Sequence, residues 1–366
     1  MFREALDRRA ALQEPKTLDR YRLFGLDEIR ERGAEVRHNL ERGGPSPVAA
    51  RLAGGGLNAA LRAAGGYGGD FASVLAALRS ANDADVVFAT NDTVGIPLVL
   101  LKRAGLLRPP LVYAAIGLPE RLVQLRGRRV KRLYVNAFRR ATTLLAYAES
   151  EAEWLRGWLA ADAPPVEFVR FGVDEQAFVP SEEHRAEVDV ASAGADPHRD
   201  YGLLMEIAER HPELSFRIVA TRDHARAVSP LPPNVAVETD LKLEQVRDRL
   251  AAARVVALPV KRNSYSGATT VLLQAMALGK PVVVSRTDAI VRGYGLEDGA
   301  NCRLVEPGNR GEFERVLLET LTGAAASVSL GFRARELVER ELSWERYTSA
   351  LWEILTAAAS GEQPPD

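Results

Sequence analysis

The sequence predicts an α/β protein made of two consecutive doubly wound parallel-sheet halves, each Rossmann-like and about 170 residues long. Three observations point there. From residue 84 onward, short continuous apolar runs alternate with helix-length amphipathic stretches, the pattern of strands covered on both faces. A polar stretch, FVPSEEHRAE (178–187), divides that alternation into two series. At 366 residues, the chain is also too long for one ordinary core.

The first series opens with ADVVFAT (84–90) as a strand, then a helix near 93–105 that ends at Gly105. LVYAAI (111–116) is the next strand, followed by a long basic helix over roughly 120–141. TTLLAYA (142–148) and VEFVRFG (166–172) complete the set. Between them lies SEAEWLRGWLA, whose Ser150 and acidic first turn suit a helix N-terminus. The second series places strands at 188–194, 215–221, 234–239, 254–260 and 281–285, with helices at 200–210, 243–253 and 268–278. ERYTSALWEIL (345–355) reads as a terminal amphipathic helix, and SGEQPPD as a frayed tail.

The first 80 residues are less regular. LFGLDEIRERG (23–33) is helical, and AEVRHNL (34–40) is a fair strand. Glycines cluster at 54–56 and in AGGYGGD (64–70), where they read either as flexible turns or as loops that cradle phosphate or carbohydrate.

Bulk properties exclude several classes. A formal net charge of −1 gives no global field toward nucleic acid or lipid. One cysteine, Cys302, leaves no internal disulfide and no cysteine metal cluster, which fits a reducing compartment. The charged N-terminal stretch lacks the apolar run of a signal peptide, and no apolar run approaches the roughly 20 residues that span a bilayer. A cytoplasmic protein is expected. His38, His184, His211 and His224 show no metal spacing, and neither a Walker-type loop nor a paired cysteine occurs, so no metal site is expected.

The stretch SYSGATTVLLQAMALGKPVVVS (264–285) carries the most chemistry. It reads as a loop, Gly267, a helix starting near Ala268, Gly279 as its cap, and a strand begun by Pro281. A helix start of this kind turns free N–H groups toward an anion, and the Thr269 and Thr270 hydroxyls add donors. Gln274 shares a face with Thr270. Ser266 and Gln274 lie roughly 12 Å apart if the span is helical, about the length of a nucleotide diphosphate sugar. The alternative is a core αβ unit whose Gln274 caps a neighbouring backbone group.

SYSGATTVLLQAMALGKPVVVSRTDAI with the later GANCRLVEPGN resembles the C-terminal signature of family 4 glycosyltransferases, retaining enzymes of the GT-B fold. FGVDEQAFVPS (171–181) is similar to the family's interdomain linker, and GADPHRDYGLLMEIAERHPELSFRIVA (194–220) to the first strand–helix–strand of its nucleotide domain. The resemblance implies two Rossmann-like domains facing across a cleft. The first, acceptor-side domain would cover 1–177 and the nucleotide-sugar domain 178–342. A terminal helix over 343–358 would return to the first domain, and a disordered tail would follow over 359–366. It implies transfer of a sugar from a nucleotide diphosphate sugar to an unidentified acceptor, with retention and no cofactor or metal.

The same resemblance assigns residues. The family's two glutamates, near the donor sugar and the ribose, fall on Ser266 and Gln274. Gln274 still accepts one hydrogen bond and donates another, but without charge assistance. Ala195 stands where the family has an arginine, while Arg199 falls on its lysine and would neutralise the departing diphosphate. His198, Lys261 and Arg262 are further donor-side candidates, with Gly267 and Ala268 contributing backbone amides. Ile116 replaces a histidine that often faces the donor sugar. A GT-B-like protein that binds nucleotide or sugar without transfer, or one using a non-hydroxyl acceptor, is the alternative.

On the acceptor side, Asn91 and Asp92 end a strand at the edge where such sheets bind ligands. Asp92 reads as orienting an acceptor hydroxyl or as an N-cap. Residues 121–141 hold Arg121, Arg126, Arg128, Arg129, Lys131, Arg132, Arg139 and Arg140 with no acidic residue. That helix reads either as core-packed with a solvated basic face, or as a peripheral contact for an anionic inner membrane face or a phosphorylated acceptor.

Overall fold

The computed structural model describes residues 1–2, 12, 17–41, 46–180, 186–263 and 267–362. The chain divides into two compact units, Met1–Val169 with Thr348–Asp366, and Arg170–Tyr347. Each holds one parallel sheet. Of the polar stretch 178–187, residues 181–185 lie outside the described residues, as do residues 363–366 of the tail.

In the first unit, α1 (Leu26–Glu31), α2 (Val48–Ala63) and α3 (Phe71–Asn82) precede the sheet. Then follow β1 (Val87–Ala89), α4 (Asp92–Arg103), β2 (Leu111–Ala115), α5 (Leu118–Leu122) and α6 (Arg128–Phe138). β3 (Thr143–Ala146), α7 (Glu149–Leu159) and β4 (Val166–Phe168) complete it. The four strands pair in the order β1-β2-β3-β4, all parallel. Every residue of β2 and β3 is buried, as covering on both faces requires. The Tyr113 ring of β2 stacks on Phe138 of α6 at 5.7 Å between centroids, which fixes α6 by its apolar stripe.

Three local expectations change. Residues 34–38 form no strand, and the chain turns into a short 3-10 segment at Asn39–Glu41. Gly54, Gly55 and Gly56 lie inside α2, where the surrounding alanines and leucines carry the helix past them. The basic stretch is two helices, α5 and α6, interrupted at Gly127, whose φ of +82° ends any helical continuation.

The second unit runs β5 (Val188–Ala193), α8 (Tyr201–Arg210), β6 (Phe216–Ala220), α9 (Arg222–Ala227) and β7 (Val235–Thr239). It continues with α10 (Leu243–Ala251), β8 (Ala253–Leu258), α11 (Thr269–Ala277), β9 (Val282–Ser285), α12 (Asp288–Val291) and β10 (Arg303–Val305). α13 (Arg310–Thr322) and α14 (Ala324–Glu341) follow. Its strand order is β10-β9-β8-β5-β6-β7, all parallel, so the order of strand addition reverses between β5 and β8, the mark of a doubly wound sheet. α14 lies against the end of α11 at a backbone-to-backbone approach. A Cβ on Gly331 would sit 2.0 Å from the Gly279 carbonyl oxygen.

The last helix, α15 (Trp344–Ser360), carries its residues from Thr348 onward in the first unit. There Arg32 donates to Ser349 Oγ at 2.7 Å and lies 6.0 Å from the Trp352 ring.

Candidate functional site

The reversal between β5 and β8 leaves their connections diverging at the carboxyl edge, the usual place for a ligand in such sheets. Gly194 follows the last residue of β5, and a turn comes next in which Asp196 Oδ1 accepts from the His198 amide at 2.7 Å. After β8, the chain runs back against this turn. Arg199 bridges antiparallel to Val260, the Lys261 amide donates to the His198 carbonyl at 2.8 Å, and the Asp200 amide donates to the Pro259 carbonyl at 3.0 Å. Ser285, at the end of β9, accepts from the Val260 amide at 2.9 Å. Backbone hydrogen bonds thus place His198, Arg199, Lys261 and Arg262 on one ribbon over three strand ends.

Their exposures differ. Lys261 and Arg262 are exposed and His198 is half-buried, whereas Arg199 is 3 % exposed. The Arg199 guanidinium lies on the α-carbon of Gly194, where a Cβ would stand 2.3 Å from its Nε. Only glycine leaves that space, and its φ of +151° is also one that other residues rarely adopt. Tyr201 closes the inner side by donating to the Gly194 carbonyl at 2.8 Å; burial pushes its hydroxyl up to about 12, so it stays a donor.

The connection that carries Lys261 and Arg262 then delivers α11. Ser266 lies outside the described residues. Gly267 is half-buried, Ala268 is buried at the N-cap, and no side chain among the described residues caps the helix, whose first amides have no partner in the helix itself. Thr269 is 3 % exposed, and its Oγ1 has no hydrogen-bond partner among the described residues. Thr270 is half-buried, and Gln274, one turn further, is 3 % exposed within the helix. Uncapped amides, a buried hydroxyl and a dipole of positive sign describe an anion-receiving helix start.

The first unit also carries polar groups at its carboxyl edge. Asn91 is the N-cap of α4, accepting from the Thr93 amide at 3.1 Å, so the capping role considered for Asp92 belongs to its neighbour. Asp92 is not presented as a surface group: it is 1 % exposed, pairs with Arg121 Nε at 2.8 Å, and accepts from the Tyr113 hydroxyl at 2.8 Å. Glu151, read from the sequence only as an acidic first-turn residue, is equally buried and accepts from the Gly117 amide at 2.8 Å. Nothing in a helical first turn signals that burial, which α7 acquires by standing at the end of β3.

On α6 the apolar stripe Val130, Tyr134, Ala137 and Phe138 faces the core, while Arg128, Arg129, Lys131 and Arg132 are exposed. None of these four forms an ion pair among the described residues. His211 lies between Glu213 and Glu314, at 3.1 and 2.9 Å, as a helix-end group; the Glu314 carboxylate raises its pKa. Among the described residues no cluster of His, Cys, Asp or Glu is placed to hold a metal ion, and no helix is long and apolar enough to cross a membrane.

The two parallel-sheet units define a GT-B fold. Sucrose-phosphate synthase from Thermosynechococcus elongatus matches with a TM-score of 0.68 at 16% identity, over 80% of this chain and 78% of that one. The Anabaena protein HepE in complex with UDP-glucose matches with a TM-score of 0.65 at 16% identity, over 78% and 82%. Residues 203–322 match the family described as glycosyl transferases group 1, a span that runs from α8 through α13. An MMP α-(1→4)-mannosyltransferase from Mycolicibacterium hassiacum is 27% identical over 217 residues, 57% of this chain and 52% of that protein. The chain therefore spans about half the length of this curated relative.

Proposed function

We propose that the protein is a retaining glycosyltransferase that moves a sugar from a nucleotide diphosphate sugar to an acceptor, without a metal ion. The observation that carries the reading is the ribbon joining His198, Arg199, Lys261 and Arg262 at the switch point, continuous with the uncapped start of α11. The matched glycosyl transferases group 1 span supports it, as do a relative named as a mannosyltransferase and a fold neighbour bound to UDP-glucose.

In this reading the Gly267–Thr270 amides and the cations Arg199, Lys261 and Arg262 stabilise the charge that develops on the departing diphosphate. Gln274 meets the ribose end through a neutral amide and Ser266 the sugar end. The first unit takes the acceptor, with Asn91 and the edge around it, and the exposed cations of α6 contact an anionic membrane face or a phosphorylated acceptor. A second reading, binding without transfer, is favoured by one observation: the position matching a family glutamate is Gln274, buried in α11.

Turnover separates the two. Incubation with uridine, guanosine and adenosine diphosphate sugars should release nucleoside diphosphate from one of them, slowly by hydrolysis and faster with an acceptor. Proton NMR of the product should show the donor's anomeric configuration. Tight donor binding with no release from any of them would establish the binding-only reading, and an inverted product would overturn retention.

A further inference from the structure

The carboxyl edge of the first sheet holds two buried carboxyl groups that the transferase reading does not use. Asp92 stands in the first turn of α4, after β1, and Glu151 in the first turn of α7, after β3; each is 1 % exposed. From these two sides they converge on the turn that follows the strand between them. Asp92 Oδ1 accepts from the Ile116 amide at 3.3 Å, and Glu151 Oε1 accepts from the Gly117 amide at 2.8 Å. Gly117 has a φ of +69° and opens α5, so these consecutive amides set the exit of β2 and the start of the next helix.

We propose that Asp92 and Glu151 are a positioning pair that clamps the Ile116–Gly117 turn, and that ionisation of Glu151 opens the clamp.

The two acids are not equivalent. Asp92 has a counter-charge: Arg121 Nε lies 2.8 Å from its Oδ2, and the Arg121 guanidinium is held 4.8 Å over the Tyr67 ring. The Tyr113 hydroxyl donates to its other oxygen, and burial keeps that phenol's pKa well above its ordinary value. Among the described residues no cation pairs with Glu151. Its Oε2 is buried without a hydrogen-bond partner among the described residues. Among the described residues, the other titratable groups acting on the pair are Glu120 and Arg121 from α5 and Tyr113 from β2, with Tyr67, from the segment before α3, acting on Tyr113. Burial, with Asp92 and Glu120 as like charges, pushes Glu151 up to about 8 against the Gly117 hydrogen bond. Burial raises Asp92 only to about 6, because Arg121 opposes it.

Glu151 is therefore a neutral acid near pH 7, with one oxygen accepting from Gly117. Ionised, it becomes a carboxylate with one hydrogen bond in a dry site, a state relieved by moving the turn aside to admit water. A carboxyl group raised by folding gives stability that is complete below its ordinary value of 4.5 and is lost as pH rises through about 8.

Hydrogen exchange of the full-length protein tests this on the peptide spanning β2 to α5, between about pH 6 and pH 9, corrected for intrinsic base catalysis. Protection of the Ile116 and Gly117 amides should fall by about tenfold per pH unit up to the Glu151 midpoint and level off above it. Glu151→Gln keeps an acceptor for Gly117 and cannot ionise, so its protection should stay flat across the range. Asp92→Asn removes a like charge and should move the wild-type midpoint to lower pH. A flat wild-type profile, the same fall in Glu151→Gln, or an unmoved midpoint in Asp92→Asn would each overturn the proposal. Should Glu151→Gln fail to fold, the wild-type profile and Asp92→Asn decide it.

Discussion

Replacing Gly194 by alanine should weaken nucleotide binding through Arg199. The added Cβ would lie 2.3 Å from Arg199 Nε and 2.7 Å from its Cζ. The backbone at φ +151° resists alanine as well, at about 1–3 kcal/mol. In a unit of this size that corresponds to a melting-temperature fall of about 2–4 °C per kcal/mol. The steric conflict is relieved by moving the guanidinium, which is 3 % exposed where it now lies. Losing one charge-assisted contact to a diphosphate costs about 1.5–3 kcal/mol, or about 10- to 150-fold in affinity. Calorimetric titration with the nucleoside diphosphate that binds wild type, run on Gly194→Ala, Arg199→Ala and the double variant, closes a cycle. The singles should weaken binding to similar extents, and the double no further than Arg199→Ala alone. Losses that add, or a Gly194→Ala protein that binds like wild type, would refute the placement of Arg199 under the ligand.

Thr269→Val removes a buried hydroxyl that has no partner among the described residues, so the free protein should gain about 1 kcal/mol while nucleotide affinity falls; calorimetry and thermal melts report both. A variant that loses stability and binds normally would show the hydroxyl serves the fold. Glutamate in place of Arg128, Arg129, Lys131 and Arg132 should reduce sedimentation with vesicles containing anionic lipid by about tenfold or more, leaving neutral vesicles unaffected. Equal binding of variant and wild type would remove α6 from any membrane contact.

The fold was legible because its central strands are continuous apolar runs, as in LVYAA of β2 and VVVS of β9, which only a sheet covered on both faces accommodates. β10 escaped notice because its three residues include Arg303, and pairing with β9 rather than composition makes it a strand. AEVRHNL alternates like a strand but pairs with no strand among the described residues, and Gly127 cuts a basic helix that looked continuous by charge alone. In the site, sequence pointed to the α11 start and to Arg199, whose chemistry is local. What it did not show is the cross-connection between His198 and Lys261, some 60 residues apart in sequence, or the burial of Glu151. Each is made by neighbouring strands, the first in the second sheet and the other in the first sheet, whose orders the local pattern does not state.

The central claim, that this chain binds a nucleotide diphosphate sugar through its second unit, is tested most directly by a thermal-shift panel. Wild type and Arg199→Ala would be melted with uridine, guanosine and adenosine diphosphate sugars at saturating concentration. At least one donor should raise the wild-type melting temperature by several degrees, consistent with about 2.7 kcal/mol at a hundredfold excess over Kd, and Arg199→Ala should lose most of that rise. No rise with any donor, or an equal rise in Arg199→Ala, would contradict the account.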